Sequence, residues 1–353
     1  MKNRIEKMKK IDERPYYLIR SLLGNDWAML YFLLGGREAG KSYAVTDTFV
    51  SQFVRYGRPF YWMRLTDTSK KKLLVNNAEK LVDPDLRRKY KLTLWTHGDA
   101  VYSIKRNEKG KICEKKLMAR VLDLKTFYND KGSGLFDKDF LNDPHMYYNI
   151  CLDEMNREKN ENSFNIVYSF VNQIENLIRS TKKRVRIICV GNLLDEASDL
   201  LCCMNFIPEH FGRFKLKKKR AIIEYIEENT AYKERRKGTI ADIMLPNAST
   251  FTNEIKVDSS LVNKNRCIHP TMIIKFTKSQ EDWFTIWDGR VIHRYNKESN
   301  KTTIAMRPYL DEVYNEDLRN NIIKCFDARA FLYKDLITFK LFQSHLCDLK
   351  PRK

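Results

Sequence analysis

The sequence predicts an α/β fold, a mainly parallel sheet with helices, followed by a smaller α+β part. Three observations carry this. Apolar runs of strand length at 28–34, 147–152 and 185–190 each stop at glycine, acidic or amide residues, as strands buried on both faces do. An amphipathic helical pattern between the second and third runs is the crossover that a parallel sheet needs. From Phe251 onward, short strand-like segments come at close spacing and give way to helical patterns.

The first run leads into Gly35-Gly36-Arg37-Glu38-Ala39-Gly40-Lys41-Ser42, which satisfies G-x-x-x-x-G-K-[ST]. Val45, Phe49, Val50 and Phe53 follow at helical spacing. Strand, Gly-rich loop and helix are the context of a phosphate-binding loop. Glycines let backbone N–H groups approach the phosphates, and the helix N-terminus adds positive potential. Lys41 is expected to reach the terminal phosphates of ATP, and the Ser42 hydroxyl to ligate Mg2+.

The second run ends in Asp153-Glu154. At a strand end beside a phosphate-binding loop, Asp153 is expected to hold magnesium through water and Glu154 to polarise the attacking water. Without the upstream loop the pair reads as an ordinary acidic strand end. Val167, Phe170, Val171, Ile174, Leu177 and Ile178 share a helical stripe, and Arg179 lies just off its end. Arg179 either complements the helix dipole or is an arginine finger offered to a neighbour's ATP; periodicity leaves the two equal. Asn192, ending the third run, either senses the γ-phosphate or is a turn residue. Arg64, ending the aromatic run 60–65, fits a phosphate or adenine contact and a salt bridge equally well. The stretch 69–89 is helical in pattern and interrupted near Pro84. Segments 101–104 and 116–124, joined across 107–110, read as a β-hairpin, either lining a pore or decorating a sheet edge.

The chain's 353 residues suit two domains, with the first at 1–225, a linker or hinge at 226–250 and the second at 251–353. A composition 43% hydrophobic and 12% aromatic excludes a wholly disordered chain. No run of 18 apolar residues occurs, and nothing near Met1 reads as a signal peptide, so a cytoplasmic protein without a membrane partner is expected. The eight cysteines form no C-x-x-C pair and the six histidines are dispersed, so no zinc site is expected. The net charge of +20 favours a polyanionic partner, nucleic acid foremost. Five basic residues in 215–220 and four in 233–237 read as solvated surface or as DNA contacts.

Strand-like segments at 271–276, 283–287 and 291–295, then helical patterns at 311–325 and 328–342, suit an RNase H-like domain. A nuclease of that kind needs clustered acidic residues at strand ends. Asp258, Glu281, Asp282 and Asp288 give no such arrangement, so a vestigial, nuclease-inactive domain is expected.

The loop motif with Tyr43-Ala44, then Arg55-Tyr56-Gly57, Arg64, Leu152-Asp153-Glu154 with Arg157-Glu158, and Arg184-Val185-Arg186-Ile187-Ile188-Cys189 occur in one order. In order and spacing they resemble the genome-packaging ATPases of phi29-like bacteriophages. The resemblance is best over 28–213, weaker but continuous afterwards, and does not cover the first two dozen residues. It implies an ASCE-type, terminase-related P-loop ring ATPase that pumps double-stranded DNA through a portal into a preformed procapsid. It further implies a homopentameric ring, a possible packaging RNA, and action at the procapsid portal in the infected bacterial cytoplasm. It favours Arg179 as the finger and matches Lys131, in the loop 129–134, to a basic residue facing a neighbour's ATP. The 135–146 segment is longer than the family pattern, which leaves Lys131 equally readable as part of an exposed loop. Phages of this type package unit-length genomes, so a nuclease is not required. Two rivals stand beside this reading: a terminase-like enzyme with an active nuclease, and a P-loop switch that binds nucleic acid.

Overall fold

The computed structural model describes residues 17–36, 39–124, 147–156, 166–178, 185–192, 198–208, 210–227, 234, 237–244, 259–263, 265–274, 283–295 and 316–349. The chain forms two compact units, one of residues 1–195 and 208–255, the other of 196–207 and 256–353.

In the first unit, a short helix α1 (Arg20–Leu23) precedes β1 (Leu30–Gly35). Helix α2 (Lys41–Tyr56) leads to β2 (Phe60–Arg64), followed by α3 (Asp67–Ala78) and α4 (Pro84–Tyr90). Strands β3 (Leu94–His97), β4 (Ala100–Arg106) and β5 (Ile112–Asp123) come next. Then follow β6 (Tyr148–Asp153), α5 (Ile166–Ile178) and β7 (Val185–Asn192). Helix α6 (Asp199–Cys203) belongs to the second unit, and the chain returns to the first with β8 (Gly212–Leu216), β9 (Ala221–Tyr225) and α7 (Ile240–Met244).

The sheet order among the described strands is β3-β4-β5-β2-β6-β7-β1-β9-β8. From β5 to β9 every pairing is parallel, and antiparallel strands extend both edges. The apolar runs account for the parallel part, since β1, β6 and β7 are buried almost throughout and both faces of such a sheet are covered. Leu33, Val45, Phe49, Trp62, Val121, Cys151 and Ile188 belong to one core beneath it. Burial pushes the Cys151 and Cys189 thiols well up, so both act as small inert hydrophobes.

Local signals set the helix ends. Gly40 takes a left-handed φ of 80° immediately before α2, and Gly57 at φ 66° closes it by donating to the Phe53 carbonyl. Thr66 and Ser69 form a capping box at the start of α3. Pro84 opens α4 rather than breaking a longer helix, with Asp83 capping it. The irregular backbone in this stretch lies earlier, where Asn76 and Asn77 take left-handed conformations that asparagine tolerates.

In the second unit, β10 (Pro270–Ile274), β11 (Trp283–Trp287), β12 (Val291–Tyr295) and β13 (Leu332–Tyr333) form a sheet in that order, with helices α8 (Glu316–Asp327) and α9 (Leu336–Leu349). The helical pattern at 328–342 is therefore replaced in its first part by a strand. Arg329, at φ 54°, follows the end of α8, Tyr333 pairs with Ile292, and Asp335 accepts from the Thr338 N–H to start α9. Phe284, Ile292, Tyr333, Phe342 and Leu346 form this unit's core.

Candidate active site

Parallel strands gather their carboxyl ends on one rim of the sheet. Here Gly35 of β1 stands level with Asn192 of β7, and Val190 of β7 with Asp153 of β6. The strand carrying Asn192 thus lies between the loop strand and the carboxylate strand. Across β6, Met63 of β2 pairs with Leu152, which brings Arg64 beside Asp153.

Lys41 is 5% exposed. Its amine donates to the Gly35 carbonyl at 3.0 Å, to the Gly36 carbonyl, and to Asn192 Oδ1 at 3.2 Å. The Ser42 hydroxyl donates to Asp153 Oδ1 at 2.8 Å. Asp153 is 3% exposed and pairs through Oδ2 with Arg64 Nη2 at 2.9 Å. The other terminal nitrogen of Arg64 pairs with Glu154, whose side chain is 61% exposed. Glu154 sits at φ 57°, a conformation costly for a non-glycine residue, and its N–H donates to Asp153 Oδ1 at 3.2 Å. Met155 N–H bonds the Val190 carbonyl, and Asn156 Nδ2 donates to the Asn192 carbonyl at 2.7 Å. Together these bonds tie the segment after β6 to the end of β7.

Burial raises the Asp153 carboxyl above the ordinary aspartate range, against the opposing pull of Arg64 and the Ser42 hydroxyl. For Arg64, burial works to lower the guanidinium, but Asp153 and Glu154 outweigh it and the net shift is upward. The cation is thereby held between two carboxylates.

Two glycines permit close approach. A Cβ on Gly35 would stand 3.3 Å from Ile226 Cβ, where Ile226 N–H bonds the Leu34 carbonyl. One on Gly191 would stand 2.9 Å from Met155 Cε. Ala39 is buried, and its carbonyl accepts from the Tyr17 N–H.

The structure therefore brings Gly35, Gly36, Lys41, Ser42, Asp153, Glu154 and Asn192 to one rim, with Ala39 and Gly40 in the loop. Arg37, Glu38, Lys131 and Arg179 lie outside the described residues. Arg64 takes the salt-bridge role, a choice its position at a strand end left open. Asn156 is a residue that sequence reasoning passed over, because its partner is a backbone carbonyl 36 residues later.

In the second unit, Asp288 accepts from the His269 and Ile268 N–H groups, which lower its carboxyl pKa and fix the turn after β11. Asp258, Glu281 and Asp282 lie outside the described residues. Among the described residues no group of three His, Cys, Asp or Glu side chains is placed to hold a metal ion, and no helix is long and apolar enough to cross a membrane.

No protein-family model matches the chain. It is 25% identical over 261 residues to the DNA packaging protein of Bacillus phage phi29, covering 72% of this chain and 69% of that protein. It is also 25% identical over 232 residues to the DNA packaging protein of Bacillus phage PZA, covering 64% of this chain and 61%, less than two thirds, of that one. Among solved structures, the DNA packaging motor of phage Phi-28 superposes with a TM-score of 0.65 at 12% identity, covering 96% of this chain and 99% of its own. The Phi-29 genome packaging motor assembly gives 0.61 at 20% identity, covering 94% and 100%. The chain is thus similar in sequence to the DNA packaging proteins of phi29 and PZA, and it has the fold of phage packaging motors.

Proposed function

We propose that this chain is the ATP-hydrolysing subunit of a phage genome-packaging motor, coupling turnover to translocation of double-stranded DNA into a preformed procapsid. The observation that carries the reading is the meeting of Ser42 and Asp153 beside Glu154, Lys41 and Asn192, in a chain similar to phage packaging proteins.

Two adjacent hard oxygen donors, the Ser42 hydroxyl and the Asp153 carboxylate, suit Mg2+, which keeps several waters of its own. Ser42 and Asp153 would hold the ion, and it would supply neutralising charge to the phosphates of ATP. Residues Gly35 to Ser42, Arg37 and Glu38 included, wrap the phosphates, and Lys41 offers its ammonium to them. Glu154 accepts the proton of the attacking water, and Asn192 orients the γ-phosphate. Arg64 positions both carboxylates. Arg179 and Lys131 act on the ATP of the neighbouring copy, in a homopentameric ring seated on the portal, where a packaging RNA is a further partner.

In the same reading the first compact unit, 1–195 with 208–255, is the ATPase, so the expected hinge at 226–250 falls within it, and the second, 196–207 with 256–353, is an RNase H-like, nuclease-inactive part that contacts nucleic acid or the portal. DNA is gripped through its phosphates, so binding is weakly sequence-dependent and weakens with salt.

The test is steady-state ATP turnover with and without duplex DNA. It compares wild type, Glu154→Gln, Arg179→Ala and an equal mixture of the two variants. DNA-stimulated turnover, lost in each variant and partly regained in the mixture, is expected from sites shared between neighbours. Full activity of Arg179→Ala removes the finger, and turnover indifferent to DNA removes the motor.

A further inference from the structure

The antiparallel edge of the large sheet carries an arrangement that ATP chemistry does not use. Trp95 of β3 stands opposite Tyr102 of β4, which stands opposite Leu117 of β5. This is one cross-strand row on one face of the sheet. His97, two residues along from Trp95 and so on the same face, lies against it at a centroid distance of 5.4 Å with rings 13° apart. The Trp95 and Tyr102 centroids are 5.7 Å apart. Lys115 places its amine 4.4 Å from the Trp95 ring centre and 3.9 Å from that of Tyr102. Trp95 and Tyr102 are half-buried, while His97 and Lys115 are exposed.

On the face of the row the cation is Lys115, and Arg106, Lys109 and Lys111 lie towards the tip of the hairpin, where Glu108 is the acidic residue. Lys105, Glu114 and Lys116 alternate to the opposite face of the sheet. Glu114 is engaged by both Lys105 and Lys116.

We infer that this face is a binding platform for single-stranded nucleic acid. Flat aromatic rings on an open sheet, set among cations, match the two components of an unpaired strand: the π-faces of its bases and the phosphates between them. Duplex DNA satisfies the lysines but offers no free base face. On binding, a base takes the ring face that Lys115 covers, and the Lys115 amine moves to the adjacent phosphate. A stacking platform reads base faces rather than sugars, so unpaired RNA and unpaired DNA are bound alike.

The inference is independent of the ATPase reading, since none of these residues lies at the nucleotide rim. The experiment titrates the full chain with 12-nucleotide oligo-dT, oligo-U and a duplex of equal length, following fluorescence anisotropy of the labelled nucleic acid. Wild type is compared with Trp95→Leu, Tyr102→Leu and Lys115→Gln. The expected result is that both single strands bind wild type and that each aromatic variant weakens them about tenfold, towards the low end of what one lost stacked base costs. Lys115→Gln, which removes one phosphate contact, weakens them less. Duplex binding of the two aromatic variants is expected to stay within twofold of wild type. Lys115→Gln alters only an exposed side chain and so keeps the test valid if an aromatic variant misfolds. Unchanged single-strand affinity in Lys115→Gln together with either folded aromatic variant overturns the platform. So does equal weakening of duplex and single strands, which would mark a general cationic surface.

Discussion

Arg64 Nη2 lies 2.9 Å from Asp153 Oδ2, and the same guanidinium pairs with Glu154 through its other terminal nitrogen. One side chain at the end of β2 therefore holds both acidic residues at the end of the neighbouring strand. A planar guanidinium presents two terminal nitrogens at a fixed spacing, one to each carboxylate, a geometry that the single point charge of an ammonium does not reproduce. Replacing Arg64 by alanine leaves the buried Asp153 without its cation and should cost about 3 kcal/mol of stability, read as a lower urea midpoint. Arg64→Lys should recover most of that stability. Its turnover should still fall on the order of tenfold or more, because Glu154 is no longer oriented. Wild-type turnover in Arg64→Lys would show that orientation by Arg64 is not required.

Much of this rim was legible in the sequence, for a physical reason. Motifs that bind phosphate use backbone approach and short local spacing, so Gly35 to Ser42 announce themselves. Asp153 and Glu154 are legible because an apolar run ends abruptly in charge. Partners chosen across strands are not legible in the same way. Arg64 meets Asp153 only because β2 and β6 pair in a particular register, and no local pattern encodes that pairing. The same holds for Trp95 and Tyr102, whose alignment depends on register. In the second unit, the helical spacing at 328–342 competed with the β-pairing of Tyr333 to Ile292, and the tertiary contact won.

Asp153 gives a pH dependence with a definite sign. Its carboxyl is raised in the folded chain, chiefly by burial, so between the unfolded and folded pKa values the native state binds more protons. Stability contributed by this group is then lost as pH rises through that window. Magnesium binding, which needs the carboxylate, releases a proton in the same window. For the metal-free protein, the melting temperature of wild type relative to Asp153→Asn should fall as pH is raised from the ordinary aspartate value upward. A difference that is flat or rising with pH would contradict the raised carboxyl.

Gly191 tests how tightly the end of β7 is packed. Its added Cβ would stand 2.9 Å from Met155 Cε and 3.1 Å from Met155 Cγ, with Asn156 Nδ2 at 3.4 Å. The methionine is flexible but buried, so it can yield only by disturbing its neighbours. Gly191→Ala should destabilise by about 1–3 kcal/mol, the usual cost of overpacking. Since Asn156 is bonded to the Asn192 carbonyl, nucleotide affinity should fall with it. Cutting Met155 back to alanine in the same chain should relieve part of the crowding. Chemical denaturation of the single and double variants measures both effects.

Lys70 is the structural counterpart of Arg64 one strand further out. Its amine reaches Asp67 at 3.1 Å, Asp99 at 3.2 Å and Asp123 at 3.1 Å, joining α3, the β3–β4 turn and the end of β5. The Asp123 side chain is 1% exposed. Burial acts to lower the Lys70 amine, but its three carboxylate partners outweigh this and the net shift is upward, so it stays charged throughout the physiological range. Lys70→Met removes one cationic partner from beside a buried carboxylate and should destabilise by up to about 3 kcal/mol, the lower end of the cost of breaking a buried pair. Adding Asp123→Asn removes the carboxylate charge and should restore part of the loss. Denaturant midpoints of the two single variants and the double variant form the cycle that measures the coupling. Simple additivity would mean that Lys70 and Asp123 are neighbours without being energetic partners.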